Sequence, residues 1–279
     1  LAALLNVTAT AAQQPTDPRR AMQSDAQLND VFFVDSVRGW AVGDRGAVWH
    51  TNDGGRHWHL QHSGVEHPLE SVWFINERHG WAVGGWTHPY THKTTAVVLR
   101  TGDGGRRWAA VERLTLPGLK RIKMFDTRRG WALGNASAMY PAGAFWTGDG
   151  GRSWTGIPGG GDSWLDGDFP APKTGALAGR SGKLATVDRG GVQTSRTASL
   201  GLRHLRRLRL TGSTGGWLVG DGGLVMTTRD GGLSWQRPAG LLPEGMADGF
   251  DFAALAVRDH HCWIAGAPGS RVMHSSDGG

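Results

Sequence analysis

Two aspartates in this chain of 279 residues have the spacing of a catalytic carboxylate pair. Asp166 and Asp168 are two residues apart, so on a β-strand both side chains would point to the same side, about 7 Å from each other. Glycosidases use two carboxyl groups roughly 5–10 Å apart. Ion pairs with neighbouring strands are the alternative, and we favour them over catalysis. The basic residues at equivalent positions of the adjacent repeats described below are Arg121, Lys123, Arg207 and Arg209.

Aromatic and histidine side chains are concentrated in two segments that lengthen two of the repeats. The candidate ligand-binding residues there are Trp86, His88, Tyr90, His92 and Tyr140. Loop extensions on a rigid scaffold often carry binding sites. A ligand or partner site and plain loop variation both explain them, and the sequence leaves the two open. Two histidines without a third ligand are a weak metal signal, so we predict no metal site and no cofactor.

Arginine dominates the charge of the chain. Lys and Arg number 30 against 24 Asp and Glu, and only five of the 30 are lysines. Arginine makes planar, bidentate contacts with carboxylates and phosphates. The net charge of +6 therefore predicts an anionic partner, such as an acidic protein surface, lipid headgroups or nucleic acid.

Composition excludes several classes of protein. The 45 glycines have no three-residue period, which excludes a collagen-like chain, and the 14 tryptophans argue against disorder. No apolar run reaches the ~18 residues of a membrane span. Cys262 is the single cysteine, so an intrachain disulfide cannot form.

The chain is built from repeats. The motif T-x-D-G-G-x-x-W starts at Thr51, Thr101, Thr147 and Thr228, with a degenerate fourth copy and a truncated last one. Its Thr and Asp can bond nearby backbone N–H groups, its glycines permit positive φ, and its Trp can pack into the sheet. The Asp and Trp residues to which we assign this structural role are Asp53, Trp58, Asp103, Trp108, Asp149, Trp154, Asp188, Asp230, Trp235 and Asp277.

Two further units precede each copy of this motif. One is G-W-A-V-G, as at residues 39–43. The other is an apolar triplet at fixed offsets, as Leu28, Val31 and Phe33 before Trp40. The sixth triplet fits only with a one-residue slip, which we place at Phe250, Ala253 and Leu255. Four short strands in each unit of ~45 residues predict an all-β fold, a β-propeller of four-stranded blades with six units visible.

The ends of the chain carry their own predictions. Residues 1–20 resemble the remnant of a secretory signal peptide followed by a linker, and residues 21–279 form the propeller. The last repeat lacks its Trp. We therefore expect a C-terminally truncated chain, although residues 15–27 could instead supply the closing strand of a six-bladed ring.

The motif T-x-D-G-G-x-x-W is the Asp-box, or BNR, repeat of sialidases, other glycan hydrolases and sortilin-type receptors. Together with the G-W-A-V-G unit, it resembles the photosystem II stability/assembly factor family over residues 28–279. That resemblance implies a seven-bladed propeller in the full-length protein. It also implies an arginine patch that holds a reaction-centre core protein during assembly.

Propeller topology gives the arginines a common face. The turn between the first and second strands and the Asp-box turn should lie together, and arginines recur in both turns of the first three blades. The predicted partner-binding arginines are Arg38, Arg56, Arg78, Arg106, Arg107, Arg128, Arg129 and Arg152. A general preference of solvated turns for arginine is the alternative.

We predict a non-enzymatic, monomeric, exported scaffold that binds a protein, either an acidic segment or a membrane-protein complex, with peripheral membrane association. The expected compartment is the periplasm or the extracellular space, or the thylakoid lumen of a photosynthetic host. The alternatives are a sialidase-like or xyloglucanase-like glycosidase and an extracellular adhesion or receptor propeller. Two observations weaken the sialidase alternative. The R-I-P element of that family does not occur, and both tyrosines lie in predicted loop insertions and not on an inner strand, where its nucleophile would be. The basic run at 205–210 is a predicted strand, so nucleic acid is not expected.

Overall fold

The computed structural model describes residues 22–160, 163–197, 200–238, 240, 249–269 and 271–276. Six antiparallel sheets follow one another along this part of the chain as the blades of a β-propeller. The predicted all-β propeller is therefore confirmed, with six blades that are mostly four-stranded. The predicted leader at residues 1–20 and the last Asp-box aspartate, Asp277, lie outside the described residues. No described helix is long and apolar enough to cross a membrane.

The first three blades have four strands each. Blade 1 consists of β1 (Leu28–Phe33), β2 (Gly39–Gly43), β3 (Val48–Thr51) and β4 (His59–Gln61). Blade 2 consists of β5 (Leu69–Phe74), β6 (Gly80–Thr87), β7 (Thr94–Thr101) and β8 (Ala109–Ala110). Blade 3 consists of β9 (Leu119–Met124), β10 (Gly130–Gly134), β11 (Ala144–Thr147) and β12 (Thr155–Gly156).

Blade 4 has four strands, and blades 5 and 6 have three each among the described residues. Blade 4 consists of β13 (Trp164–Ala171), β14 (Thr174–Gly179), β15 (Leu184–Asp188) and β16 (Gly191–Thr194). Blade 5 consists of β17 (Leu205–Thr211), β18 (Gly215–Gly220) and β19 (Leu224–Thr228). Blade 6 consists of β20 (Asp251–Arg258), β21 (His261–Ala267) and β22 (Arg271–Ser275).

The apolar triplet forms the first strand of each blade, and G-W-A-V-G forms the second. The sixth triplet was placed wrongly from sequence. In blade 1, Phe33 pairs with Gly39, whereas in blade 6 Val257 pairs with Cys262. The turn between those strands is therefore one residue shorter in blade 6, and the triplet there is Phe252, Leu255 and Val257 rather than the predicted residues.

The glycine that opens G-W-A-V-G is required by packing. The aromatic ring of Phe74, at the end of β5, lies over Gly80, and a Cβ at that glycine would come within 2.3 Å of the ring. The next residue, Trp81, is buried. Its counterpart in blade 1, Trp40, stacks on Phe74 with ring centroids 3.6 Å apart. The motif therefore packs the tryptophan of one blade against the first strand of the next blade.

Five hydrophobic clusters fill the junctions between consecutive described blades, from blades 1 and 2 to blades 5 and 6. The described residues leave the face of blade 1 that points away from blade 2 uncovered. Val31 is 56% exposed there, whereas its counterpart Val72 in blade 2 is 1% exposed. The outer face of blade 6 is likewise uncovered, with Val272 67% exposed. A cavity of about 780 Å³ is lined by residues of blades 1, 5 and 6.

Candidate functional site

The Asp-box turns share one internal hydrogen-bond network. In the first copy, the Thr51 hydroxyl donates to Asp53 Oδ1 at 2.9 Å and accepts the Gly55 N–H at 3.0 Å. Asp53 Oδ1 also accepts the N–H of His57. That backbone bond and the His57 side chain lower the pKa of Asp53. The other complete copies repeat the network, so these carboxylates hold the turns as the sequence predicted.

The tryptophans of the boxes are less uniform than predicted. Trp235 is buried at 4% exposure and donates its indole N–H to the Gly232 carbonyl. Trp58, Trp108 and Trp154 are only partly buried. They follow the turn into or beside the outermost strand of the blade. The tryptophans of the second strands, such as Trp40, Trp81 and Trp131, are buried at the blade junctions of the core, as Trp235 is.

The Asp-box turn and the first turn of a blade lie on the same face, as the topology predicted. The N–H of the first box glycine reaches across to the backbone of the first turn in each case. Gly104 donates to the Arg78 carbonyl at 2.9 Å, and Gly150 donates to the Arg128 carbonyl at 2.7 Å. Arginines of the two turns are therefore neighbours in blades 2 and 3.

Indole hydrogen bonds connect the turns on this face from one blade to the next. The Trp40 indole N–H of blade 1 donates to the Gly104 carbonyl in the box of blade 2 at 3.2 Å. Trp81 of blade 2 makes the same bond to Gly150 of blade 3 at 2.9 Å. The predicted arginines thus form one continuous band over three blades. This arginine rim consists of Arg38, Arg56, Arg78, Arg106, Arg107, Arg128, Arg129 and Arg152.

Most arginines of the rim are exposed and unpaired. Arg38 is half-buried and bonds Asp35 and Glu77, and Arg129 bonds Asp126 at 2.6 Å. The other six are exposed and make no ion pair with a described residue. The carboxylates that share the rim are Asp35, Asp53, Glu77, Asp103, Asp126 and Asp149. The rim therefore keeps an excess of positive charge that a ligand can reach.

The first strands of successive blades are neighbours, and they carry a second set of arginines. Asp166 is fully buried between Arg121, at 2.5 Å, and Arg209, at 3.1 Å. Lys123 bonds Asp168 at 2.7 Å. Burial alone would raise the pKa of Asp166, but the attraction of Arg121 and Arg209 outweighs it and lowers that pKa. These ion pairs confirm the structural interpretation of the two aspartates.

Arg207 departs from the predicted pairing. Its guanidinium donates to the Arg206 carbonyl at 2.9 Å and makes no ion pair with a described residue. Burial lowers its pKa, and the nearby Arg121 adds to that effect. Of the two blade 5 arginines expected to pair with the aspartates of blade 4, Arg209 does so and Arg207 does not.

The predicted ligand loops are only partly brought together. The insertion in blade 2 extends β6 and β7 into a longer hairpin instead of forming a loop, with Trp86 paired to Thr95. Trp86 stacks on His67 at 5.4 Å and contacts His88, which contacts the exposed Tyr90.

The other two candidate residues of these insertions add no ring to that stack, although the His92 N–H donates to the His88 carbonyl at 2.9 Å. Tyr140 packs edge-on against Phe145. His92 is an exposed turn residue at φ 54°. No group of three metal-ligating side chains occurs among the described residues.

Sequence reasoning missed two cations beside the rim. Lys173 and Arg189 of blade 4 line a cavity together with Arg129. The sequence signal for Arg189 is the degenerate fourth Asp box, in which it replaces a glycine. The signal for Lys173 is its place three residues before Ala176, the offset of Arg78 before Trp81.

Comparison with known proteins identifies the family. The family model described as Photosynthesis system II assembly factor YCF48 matches residues 11–157 and 200–279. A solved structure of YCF48 bound to D1 peptide is 25% identical, with a TM-score of 0.69 over 91% of this chain and 79% of that chain. YCF48 from Cyanidioschyzon merolae is 17% identical, with a TM-score of 0.53 over 89% and 95% of the two chains.

A glycosidase shares the fold. The GH74 xyloglucanase from Xanthomonas campestris is 14% identical, with a TM-score of 0.68 over 91% of this chain and 44% of that chain. Among curated proteins, none matches the chain. The family model covers most of the chain and bears out the resemblance inferred from the repeats. The chain belongs to the family described as Photosynthesis system II assembly factor YCF48.

Proposed function

We propose that this protein is a non-enzymatic docking scaffold whose arginine rim binds an acidic segment of a membrane-protein complex. The observation that carries the proposal is the continuous rim itself, in which six exposed arginines make no ion pair with a described residue. A family relative bound to D1 peptide supports a peptide as the partner.

The geometry suits capture of an extended chain. The rim arginines are carried on turns that are tied to one another by backbone and indole hydrogen bonds, so little conformational entropy of the turns is lost on binding. Guanidinium groups bind carboxylates in bidentate fashion. Exposed charges of this kind raise the association rate and confer salt sensitivity. We further propose that the protein is exported and acts as a monomer at a membrane surface.

Retention of a partner from the host's native membrane fraction tests this proposal. The full chain is immobilised and loaded at low salt, and bound proteins are eluted with a salt gradient. We expect a membrane-protein complex that elutes with salt from the unchanged protein and is lost when Arg56, Arg78, Arg106 and Arg128 are replaced by Ala. Equal retention by both proteins would overturn the role of the rim.

The carbohydrate alternative has one observation in its favour. Trp86, on the hairpin of blade 2, stacks on the exposed His67, which precedes β5, and rings of this kind can bind sugars. Hydrolysis has less support, because both Asp166 and Asp168 are held in ion pairs and a general acid needs a raised pKa. A glycan array that shows binding lost on Trp86→Ala would favour this alternative.

A further inference from the structure

The fourth blade departs from the repeat at its Asp box, which reads T-V-D-R-G-G-V-Q. Strands β15 and β16 pair as far as Asp188 and Gly191, so Arg189 and Gly190 form a two-residue turn. Asp188 Oδ1 accepts the N–H groups of Gly190 and Gly191 at 2.7 and 3.0 Å. A tight hairpin therefore replaces the longer loop of the complete boxes.

The short hairpin changes what lies beside blade 3. In the first two junctions, an indole N–H reaches a glycine carbonyl in the next box, as from Trp40 to Gly104. At the third junction, Trp131 instead donates to the Pro172 carbonyl in the first turn of blade 4, at 3.1 Å. A cavity of about 750 Å³ is present here. Its lining residues are Arg129, Ala171, Pro172, Lys173, Thr174, Asp188, Arg189 and Gly190.

The charges around this cavity favour an anion. The Arg189 guanidinium lies 4.0 Å from the centre of the Trp146 ring, a cation–π contact that orients the side chain. Lys173 is exposed, and neither Lys173 nor Arg189 has an ion pair with a described residue. The acidic group in the lining, Asp188, accepts two N–H groups of the hairpin turn through Oδ1, and its one negative charge is outnumbered by the charges of Lys173 and Arg189. Arg129 is bonded to Asp126 at the edge.

We propose that this blade 4 pocket receives an acidic side chain, with an adjoining apolar residue, from the peptide segment that the arginine rim docks. The inference rests on the proposed function. Arg129 belongs to both the rim and the pocket, so a segment that crosses blades 1 to 3 continues into it. Lys173 and Arg189 hold the carboxylate, and Ala171 and Pro172 contact the apolar neighbour. The rim attracts the segment, and the pocket fixes its register.

Fluorescence anisotropy of the full chain with a labelled Glu-Ala repeat peptide tests the proposal, with a Gln-Ala repeat as the uncharged probe. The pocket variant is Lys173→Ala with Arg189→Ala. Its matched control is Lys93→Ala with Arg180→Ala, which removes two exposed charges from the opposite face. We expect the pocket variant to bind about tenfold more weakly, the scale of one or two charge-assisted hydrogen bonds. The control should bind like the unchanged protein.

A rim variant separates the two proposals. It carries Arg56→Ala, Arg78→Ala and Arg106→Ala and leaves the pocket intact. If the rim variant loses affinity and the pocket variant does not, the pocket proposal is overturned and the proposed function stands. If the unchanged protein does not distinguish the Glu-Ala from the Gln-Ala peptide, both are overturned. Weakening in both variants, with the control unchanged, supports both.

Discussion

The arginines of the inner strands and those of the rim have the same side chain in opposite surroundings. Arg121 is 8% exposed and lies against the fully buried Asp166. On the rim, the Arg129 side chain is 55% exposed even though it bonds Asp126. A buried charge must be paired to be tolerated, whereas an exposed one need not be. Arg121 and Arg209 are therefore held by the fold, whereas six of the eight rim arginines make no ion pair with a described residue.

The comparison shows why charge alone does not locate a binding site. The run Leu205–Leu210 has three arginines in six residues, yet it lies in strand β17, and Arg209 is paired with Asp166. The rim arginines are scattered over three repeats in sequence. They come together because each of these Asp-box turns bonds the first turn of its own blade, and those of blades 2 and 3 also accept the tryptophan N–H of the previous blade.

Loss of the inner carboxylate should have the largest effect. Asp166→Asn leaves Arg121 and Arg209 without their shared charge, and breaking a buried ion pair in this way typically costs about 3–5 kcal/mol. Urea denaturation followed by tryptophan fluorescence measures the loss. A loss below about 1 kcal/mol would show that solvent reaches these arginines and would remove the contrast with the rim.

The same aspartate should govern the acid sensitivity of the fold. Because its folded pKa is lowered, its contribution to stability is fully present above the unfolded pKa of about 4. That contribution is lost as the pH falls through the folded pKa. Midpoints of urea unfolding measured from neutral to acidic pH should fall less steeply for Asp166→Asn than for the unchanged protein. If the urea midpoints of the two proteins fell equally steeply with decreasing pH, this role of Asp166 would be contradicted.

Rim charges should change binding and leave stability alone. Replacing Arg56, Arg78, Arg106 and Arg128 by Ala should weaken partner binding about tenfold or more and flatten its salt dependence, since screened surface charges act mainly on association. The unfolding free energy should stay within about 0.5 kcal/mol, as is usual for surface substitutions. Titrations at several salt concentrations measure the first effect, and urea denaturation measures the second. Unfolding of the variant would mean that the rim is structural.

The exposed ion pair of the rim should have the smallest effect. Asp126→Asn removes the partner of Arg129 at the surface, where such pairs contribute roughly 0–1 kcal/mol. Urea denaturation of the Asp126→Asn and Asp166→Asn variants compares the loss of unfolding free energy in the two regions directly. Equal losses for the two variants would show that burial does not decide what these pairs contribute.

Much of the fold follows from the sequence because it is written in local patterns. The alternation of the apolar triplet, the glycine under the Phe74 ring and the Thr–Asp network of each box act within a few residues. These local patterns are enough to predict the order of the strands, the turns and the family from the sequence. The sixth triplet was misplaced because the turn before Cys262 is one residue shorter, and the repeat offers no local signal for that change.

The site depended on what distant residues do to one another. The sequence predicted which arginines share a face, because propeller topology repeats. It did not show that Arg207 lacks a carboxylate partner, that Tyr140 packs on Phe145, or that Trp58 is only partly buried. Nor did it show the cavity beside Arg189. Those outcomes depend on contacts between blades, where burial and pairing are set by side chains about forty residues apart, and only the tertiary structure brings such residues together.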